Sequence, residues 1–243
     1  MKVGMISFAH LHAESYASAL MQMPEVEFSG IYDEDQNRAR KWAERFGVKQ
    51  FATLKDLLDS DIEAVIICST NADHCRYTVA AAEAKKHVLV EKPIATTIQD
   101  ANKMIEICKN NGVKLQIAFP VRYLPSVLEA KRIVDSGQLG RILAIKATNH
   151  GSMPGGWFVE KELAGGGAVI DHTVHVIDLI RWMLELEVKE VYAEYDRLIH
   201  DIPTEDCGLL TMELTNNVFA TLDTSWNRPS AYPTWGDVTM TII

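Results

Sequence analysis

Two clusters hold residue types able to do chemistry. In the first, the apolar run His87-Val88-Leu89-Val90 ends in Glu91-Lys92-Pro93; in the second, Gly165-Gly166-Gly167 leads to Asp171 and His175. An ammonium at the end of a buried strand is costly to remove from water unless a partner or a substrate uses it, so Lys92 reads as a working residue. Asp171 and His175 are four apart, which on a helix puts them on one face, where a carboxylate can orient an imidazole. A neutral imidazole suits a general base at physiological pH. It would take the proton of a hydroxyl whose carbon gives up a hydride, while the Lys92 ammonium near the same oxygen stabilises alkoxide character. Lys92 could itself be the base, because burial and nearby cations lower a lysine pKa, and the sequence leaves the two assignments open.

As an isolated pair, Asp171 reads as a helix-start cap and His175 as a core histidine. The three glycines in front tip the reading toward a site, since they let backbone approach a ligand where a plain helix start needs one cap residue. His172 and Asp178 read as helix surface or packing, and Trp157 and Trp182 as core or interface residues.

Holding these groups requires a scaffold, and the first half of the chain alternates apolar strands with helical periods. Val3–Ile6, Val26–Tyr32, Ala64–Ile67, Val88–Val90 and Val113–Ile117 read as strands. Ala13–Met21, Gln36–Phe46, Asp73–Ala84 and Ile98–Lys109 read as helices, with Gly47 and Gly112 as stops. Such alternation predicts an α/β domain over residues 1–121, a doubly wound parallel sheet of the Rossmann type covered on both faces. From Pro125 the pattern changes. A helix to Asp135, a strand from Ile142 to Thr148, a Gly- and Pro-rich loop and a helix from Val169 to Leu184 come first. Strands at Val188–Arg197, Cys207–Leu214, Val218–Ser225 and Val238–Ile243 follow. The expectation is an α+β domain over 122–243 with a mostly antiparallel open sheet. Its last strand stops without a closing turn, so the domain is expected to be truncated at the C-terminus.

A doubly wound sheet invites a test for dinucleotide binding. After the first strand the turn should read G-x-G-x-x-G, so that backbone and helix N-terminus can approach a pyrophosphate. The chain has Ser7-Phe8-Ala9-His10-Leu11-His12, with all three glycines absent. Ser7 and Ala9 are small enough to admit a phosphate; His12 demands looser helix packing. Asp33, at the end of the second strand and about 20 residues beyond the turn, can accept the ribose hydroxyls and repel a 2′-phosphate, which favours NAD over NADP. The plainer reading of Asp33-Glu34-Asp35 is a turn that caps the next helix.

Glu91-Lys92-Pro93 after an apolar strand, Ser69-Thr70-Asn71-x-x-His74, Arg122-Tyr123-x-Pro125 and Gly165-Gly166-Gly167-x-x-x-Asp171-x-x-x-His175 together resemble the Gfo/Idh/MocA oxidoreductases, colinearly from Lys2 to the C-terminus. The resemblance implies a nicotinamide cofactor lined by Ser7, Phe8, Ala9, His10, Leu11, Asp33, Ser69, Thr70, Asn71, His74, Glu91, Lys92 and Arg122. Lys92, Asp171 and His175 would face the substrate carbon. Departures are the lost glycines, Thr70-Asn71 without an intervening proline, and Thr173 where the family often has glycine. The resemblance also implies dimers or tetramers formed through the second domain's sheet.

Composition narrows the partners. With 47% hydrophobic and 23% charged residues in 243, the chain can build sizeable cores, and a net charge of -9 disfavours nucleic acid or an anionic membrane surface. No apolar stretch is expected to reach the roughly 20 residues of a membrane helix. Cys68, Cys75, Cys108 and Cys207 lack zinc spacing and read as reduced thiols of a cytoplasmic protein. His150, Asp171, His172 and His175 could in principle assemble a zinc site, but they lack a recognised spacing, and no metal is expected. The function expected is an NAD-dependent dehydrogenase acting on a secondary hydroxyl of a sugar, cyclitol or related polyol. A non-catalytic NAD-binding subunit and a redox-assisted elimination or hydrolysis of glycosides are the alternatives.

Overall fold

A computed structural model describes residues 1–243, which form two compact units, Met1–Ala118 and Phe119–Ile243. In the first, strands β1 (Lys2–Ile6), β2 (Glu27–Tyr32), β3 (Lys49–Phe51), β4 (Ala64–Ile67), β5 (His87–Glu91) and β6 (Leu115–Ala118) pair in the order β3-β2-β1-β4-β5-β6. Every pairing is parallel. Helices α1 (Ala13–Leu20), α2 (Gln36–Phe46), α3 (Leu54–Leu58), α4 (His74–Glu83) and α5 (Ile98–Asn111) supply the crossovers.

Chain order reverses between β1 and β4, which is where such sheets open a crevice at the carboxyl ends of their strands. β1 and β4 are buried along almost their whole length because apolar clusters cover both faces of the sheet. The Asp35 carboxylate accepts the Asn37 and Arg38 N–H groups at the start of α2, and Thr53 and Thr97 cap α3 and α5. Gly47 and Gly112 end α2 and α5 in the left-handed conformation, as their positions in the sequence led us to expect. The periodicity reading omits β3 and α3, which are too short to display a period.

The second unit contains α6 (Pro125–Asp135), β7 (Ala144–Gly151), α7 (Lys161–Ala164), α8 (Ala168–Leu184), β8 (Val188–Asp196), β9 (Cys207–Leu214), β10 (Phe219–Ser225) and β11 (Gly236–Ile242). Its sheet runs β11-β7-β10-β9-β8 and is antiparallel except for the β10–β7 pair. β9 and β10 alternate buried and exposed positions, and α8 lays Val176 and Ile180 on the buried face against Ile145, Leu210, Met212 and Leu222. Each such apolar side chain taken from water contributes about 1.5–3 kcal/mol. The other face leaves Tyr192, Leu209 and Phe219 more than half exposed.

Against the expectation from sequence, the stretch Lys161–Leu184 is long and apolar enough by composition to be weighed as a membrane crossing. Half of that window is buried on the sheet, which accounts for its apolarity as that of a core helix.

Candidate functional site

In the first unit the polar residues singled out from sequence collect at the carboxyl ends of β1, β2, β4 and β5. Ser7 leaves β1 at φ 68°, the left-handed conformation that glycine would ordinarily supply. Its hydroxyl donates to Asp33 Oδ2 at 3.3 Å and accepts the Ala9 N–H at 3.2 Å. Asp33 is fully buried. It also accepts the Phe8 N–H at 2.7 Å, the Asp35 N–H at 3.0 Å and a two-pronged contact from Arg38, Nε and Nη2 each at 2.7 Å. A carboxylate so occupied can meet a ribose only by giving up part of this set, so its foremost role is to tie the first turn to the end of β2.

The Phe8 ring turns into the core and stacks on Trp42 with centroids 5.2 Å apart, because β1 delivers it to that apolar cluster. What Phe8 presents at the turn is backbone. His74 is likewise fully buried; its Nδ1 donates to the Pro93 carbonyl at 2.9 Å, and burial pushes its pKa down. Through this bond it braces the chain after β5. Ser69 and Asn71 are buried just beyond β4, where Ser69 Oγ donates to the Thr70 carbonyl and Thr70 Oγ1 to Asp73.

Around the end of β5 the turn folds inward. Glu91 Oε1 accepts His12 Nδ1–H at 2.9 Å and the Tyr16 hydroxyl at 2.7 Å; Oε2 accepts the Lys92 N–H at 3.0 Å. Burial alone would raise the Glu91 carboxyl. The His12 bond and the electrostatic attraction of His10, His12 and Lys92 outweigh it and hold the pKa at about 2. Burial first, then the Glu91 carboxylate, pushes Tyr16 far up. Lys92 is 4% exposed. Sequence reading missed His12 and Tyr16, although the His-x-His spacing at the turn was a usable signal.

The structure bears on whether a dinucleotide fits this end of the sheet. Unlike α2, α3 and α5, α1 has no side-chain cap; its Ala13 N–H donates to the His10 carbonyl at 3.1 Å, and Leu11 just before it is exposed. With the strand order and the left-handed Ser7, these features fit a pyrophosphate.

In the second unit Asp171 Oδ2 accepts the indole N–H of Trp226 at 3.2 Å, with His172 Nε2 at 3.4 Å. His172 is buried and its Nδ1 lies 3.0 Å from the Asn149 carbonyl, so it braces α8 against β7. His175 follows Asp171 by one turn of α8. Arg122 meets the Asp178 carboxylate through Nε at 2.6 Å and through Nη2, and it packs over Trp182. Its fork is thus engaged within this unit.

The triple glycine has an internal occupant. A Cβ on Gly167 would lie 1.9 Å from the Glu205 carbonyl oxygen, and Glu205 Oε1 accepts the Gly167 and Val169 N–H groups at 2.7 and 3.3 Å. At Gly167 the backbone is bare for Glu205. Neither Glu205 nor Trp226 announces itself in the sequence, since each lies on a strand or loop remote from α8.

Residues 1–119 match the oxidoreductase family with an NAD-binding Rossmann fold, and residues 127–243 match the GFO/IDH/MocA C-terminal domain. The chain is 29% identical over 229 residues to the uncharacterized oxidoreductase YrbE of Bacillus subtilis, covering 92% of this chain and 65% of that one. Over 244 residues it is 28% identical to inositol 2-dehydrogenase of Salmonella typhimurium, covering 98% and 71%. The structure of levoglucosan dehydrogenase in complex with NADH and levoglucosan superposes with a TM-score of 0.90 at 26% identity, over 100% of this chain and 70% of that one. The chain therefore spans 65–71% of the length of these relatives.

Proposed function

We propose that this chain, which belongs to the GFO/IDH/MocA oxidoreductase family, is an NAD-dependent dehydrogenase of a secondary hydroxyl in a sugar, cyclitol or related polyol. The observation that carries the reading is Lys92, almost wholly buried beside the ionised Glu91 at the carboxyl end of β5, in a sheet whose order reverses between β1 and β4. The names of an inositol dehydrogenase and a levoglucosan dehydrogenase among its relatives support a polyhydroxylated substrate.

A bound nicotinamide would supply the acceptor or donor for a hydride at the carbinol carbon. The chain's residues manage the proton. His175 takes it from the hydroxyl at a ring nitrogen, and the Lys92 ammonium is assigned the stabilisation of alkoxide character. Asp171, steadied by the Trp226 indole, orients the imidazole and receives a substrate hydroxyl. Ser7 to Leu11 and the first turn of α1 take the pyrophosphate, with Ser69, Thr70 and Asn71 alongside. NAD is favoured over NADP because Arg38 is engaged by Asp33, and Arg76 by Glu34 and Asp73, which leaves neither cation for a 2′-phosphate.

The test is a polyol panel followed at the reduced-nicotinamide absorbance, with pH–rate profiles for Lys92→Met and His175→Ala. Each variant should lose turnover by about 10²–10⁴-fold. Unchanged turnover in both refutes the scheme. NAD binding without reduction by any polyol would mark a non-catalytic subunit instead. The exposed sheet face of the second unit, with Tyr192, Leu209 and Phe219, suits pairing with another copy as a dimer or tetramer. Sedimentation showing only monomer at all concentrations rejects that pairing. Its four unpaired cysteines suit the reducing cytoplasm, to be checked by fractionation.

A further inference from the structure

The turn that lacks the dinucleotide glycines carries two imidazoles, and both face one carboxylate oxygen. His12 Nδ1 lies 2.9 Å and His10 Nδ1 3.8 Å from Glu91 Oε1, with one ligand atom from each of the three residues within 4.8 Å of the others. We infer that His10, His12 and Glu91 form a binding site for a divalent transition-metal ion of the Zn²⁺ type.

Four arguments support the assignment. The first is donor chemistry. Two imidazole nitrogens and one carboxylate suit Zn²⁺ and its first-row neighbours, whereas Mg²⁺ and Ca²⁺ prefer all-oxygen shells. Geometry comes next. Metal bonds of about 2.0–2.2 Å in a tetrahedron set ligand atoms about 3.3–3.5 Å apart, and the two measured separations bracket that value. Small movements of His12 outward and His10 inward would close the site.

The state of the ligands is the third. His10 Nδ1 accepts the His12 backbone N–H at 3.1 Å, which makes it the unprotonated ring nitrogen, the form a metal binds. On His12 the ion would displace the Nδ1 proton now given to Glu91, and at His10 it would compete with that backbone N–H. Fourth, the supporting shell and the entrance are present. The Tyr16 hydroxyl and the Lys92 N–H hold the carboxylate, and the His12 side chain, 36% exposed, gives an ion a way in from solvent. With three protein ligands a fourth position stays open, the pattern of zinc sites that bind a further small ligand.

This set is separate from His150, Asp171, His172 and His175, the other residues whose types suit zinc. His150 Nε2 pairs with Asp223 at 3.0 Å, and His172 is committed to Asn149 and Asp171.

The test uses chelator-treated protein under reducing conditions with no nicotinamide present, so it does not depend on the dehydrogenase reading. Zn²⁺ is titrated against a chromophoric chelator, and Co²⁺ is followed by its visible absorption. One ion per chain is expected, with a tetrahedral Co²⁺ spectrum and a Zn²⁺-induced rise in melting temperature that Mg²⁺ does not produce. His12→Gln, at a half-exposed position that leaves the core intact, should weaken Zn²⁺ binding by more than about tenfold and abolish both the spectrum and the thermal rise. His10→Gln should do the same. No Zn²⁺ or Co²⁺ binding to the unaltered chain overturns the assignment, as does binding of undiminished strength in His12→Gln.

Discussion

The β1–α1 turn and the glycine turn before α8 exchange the roles their sequences suggest. The first, stripped of glycine, still turns through a left-handed Ser7 and leaves α1 without a side-chain cap. The second keeps three glycines, and the one nearest the helix is pressed against the backbone of Glu205. A glutamate from another element holds each turn. Glu205 meets backbone N–H groups that glycine lays bare, whereas Glu91 meets the side chains of His12 and Tyr16. Glycine thus reports that something comes close, and only the neighbouring element decides whether that something is ligand or protein.

The most forceful way to break this contrast is Gly167→Ala. Its Cβ would overlap the Glu205 carbonyl oxygen, and backbone cannot swing aside as a side-chain tip does. We expect a loss of at least about 3 kcal/mol in urea unfolding, at the upper end of overpacking costs. If the turn instead left room there for a ligand, the alanine would be nearly neutral in the free protein; a loss below about 1 kcal/mol would show that.

On the other side of the comparison, Glu91→Gln probes a turn held by charge. The folded carboxyl, at about 2, lies below its ordinary 4.5, so it adds stability above pH 4.5 that is lost as pH falls through the folded value. The depression corresponds to about 3 kcal/mol at full strength. Between pH 5 and pH 2 the unaltered chain should lose about that much more stability than Glu91→Gln, read from urea midpoints at several pH values. Parallel curves would mean that the carboxylate carries no net stabilisation of the turn.

Legibility followed range along the chain. Alternation of apolar strands and amphipathic helices is a local signal, and it placed α2 over Gln36–Phe46 and β9 over Cys207–Leu214 at the very residues observed. The same rule had too little length to register β3 or α3. At the site, chemistry-bearing residue types were visible, but their partners were not. The sequence offers Asp33 either a ribose or a turn, and nothing local shows that Arg38, five residues on, doubles back to occupy it. Phe8 looked available until the core was known to contain Trp42 beside it. Glu205 and Trp226 reach α8 from far along the chain, a distance over which periodicity carries no information.

The gentlest probe asks what the lost glycine at position 7 is worth. A side chain at φ 68° costs about 1–2 kcal/mol relative to glycine, while the Ser7 hydroxyl returns part of that through its bonds with Asp33 and Ala9. Ser7→Ala keeps the strained Cβ and removes both bonds, so it should destabilise by about 1 kcal/mol. Ser7→Gly removes the same bonds but releases the strain, and should fall close to the unaltered chain. The difference between the two variants, more than either value alone, isolates the backbone contribution, and thermal unfolding resolves it because both remove the same hydroxyl. Were Ser7→Gly as damaging as Ser7→Ala, the hydroxyl bonds and not the left-handed backbone would dominate the turn, and its likeness to a glycine turn would reduce to shape without energetic consequence.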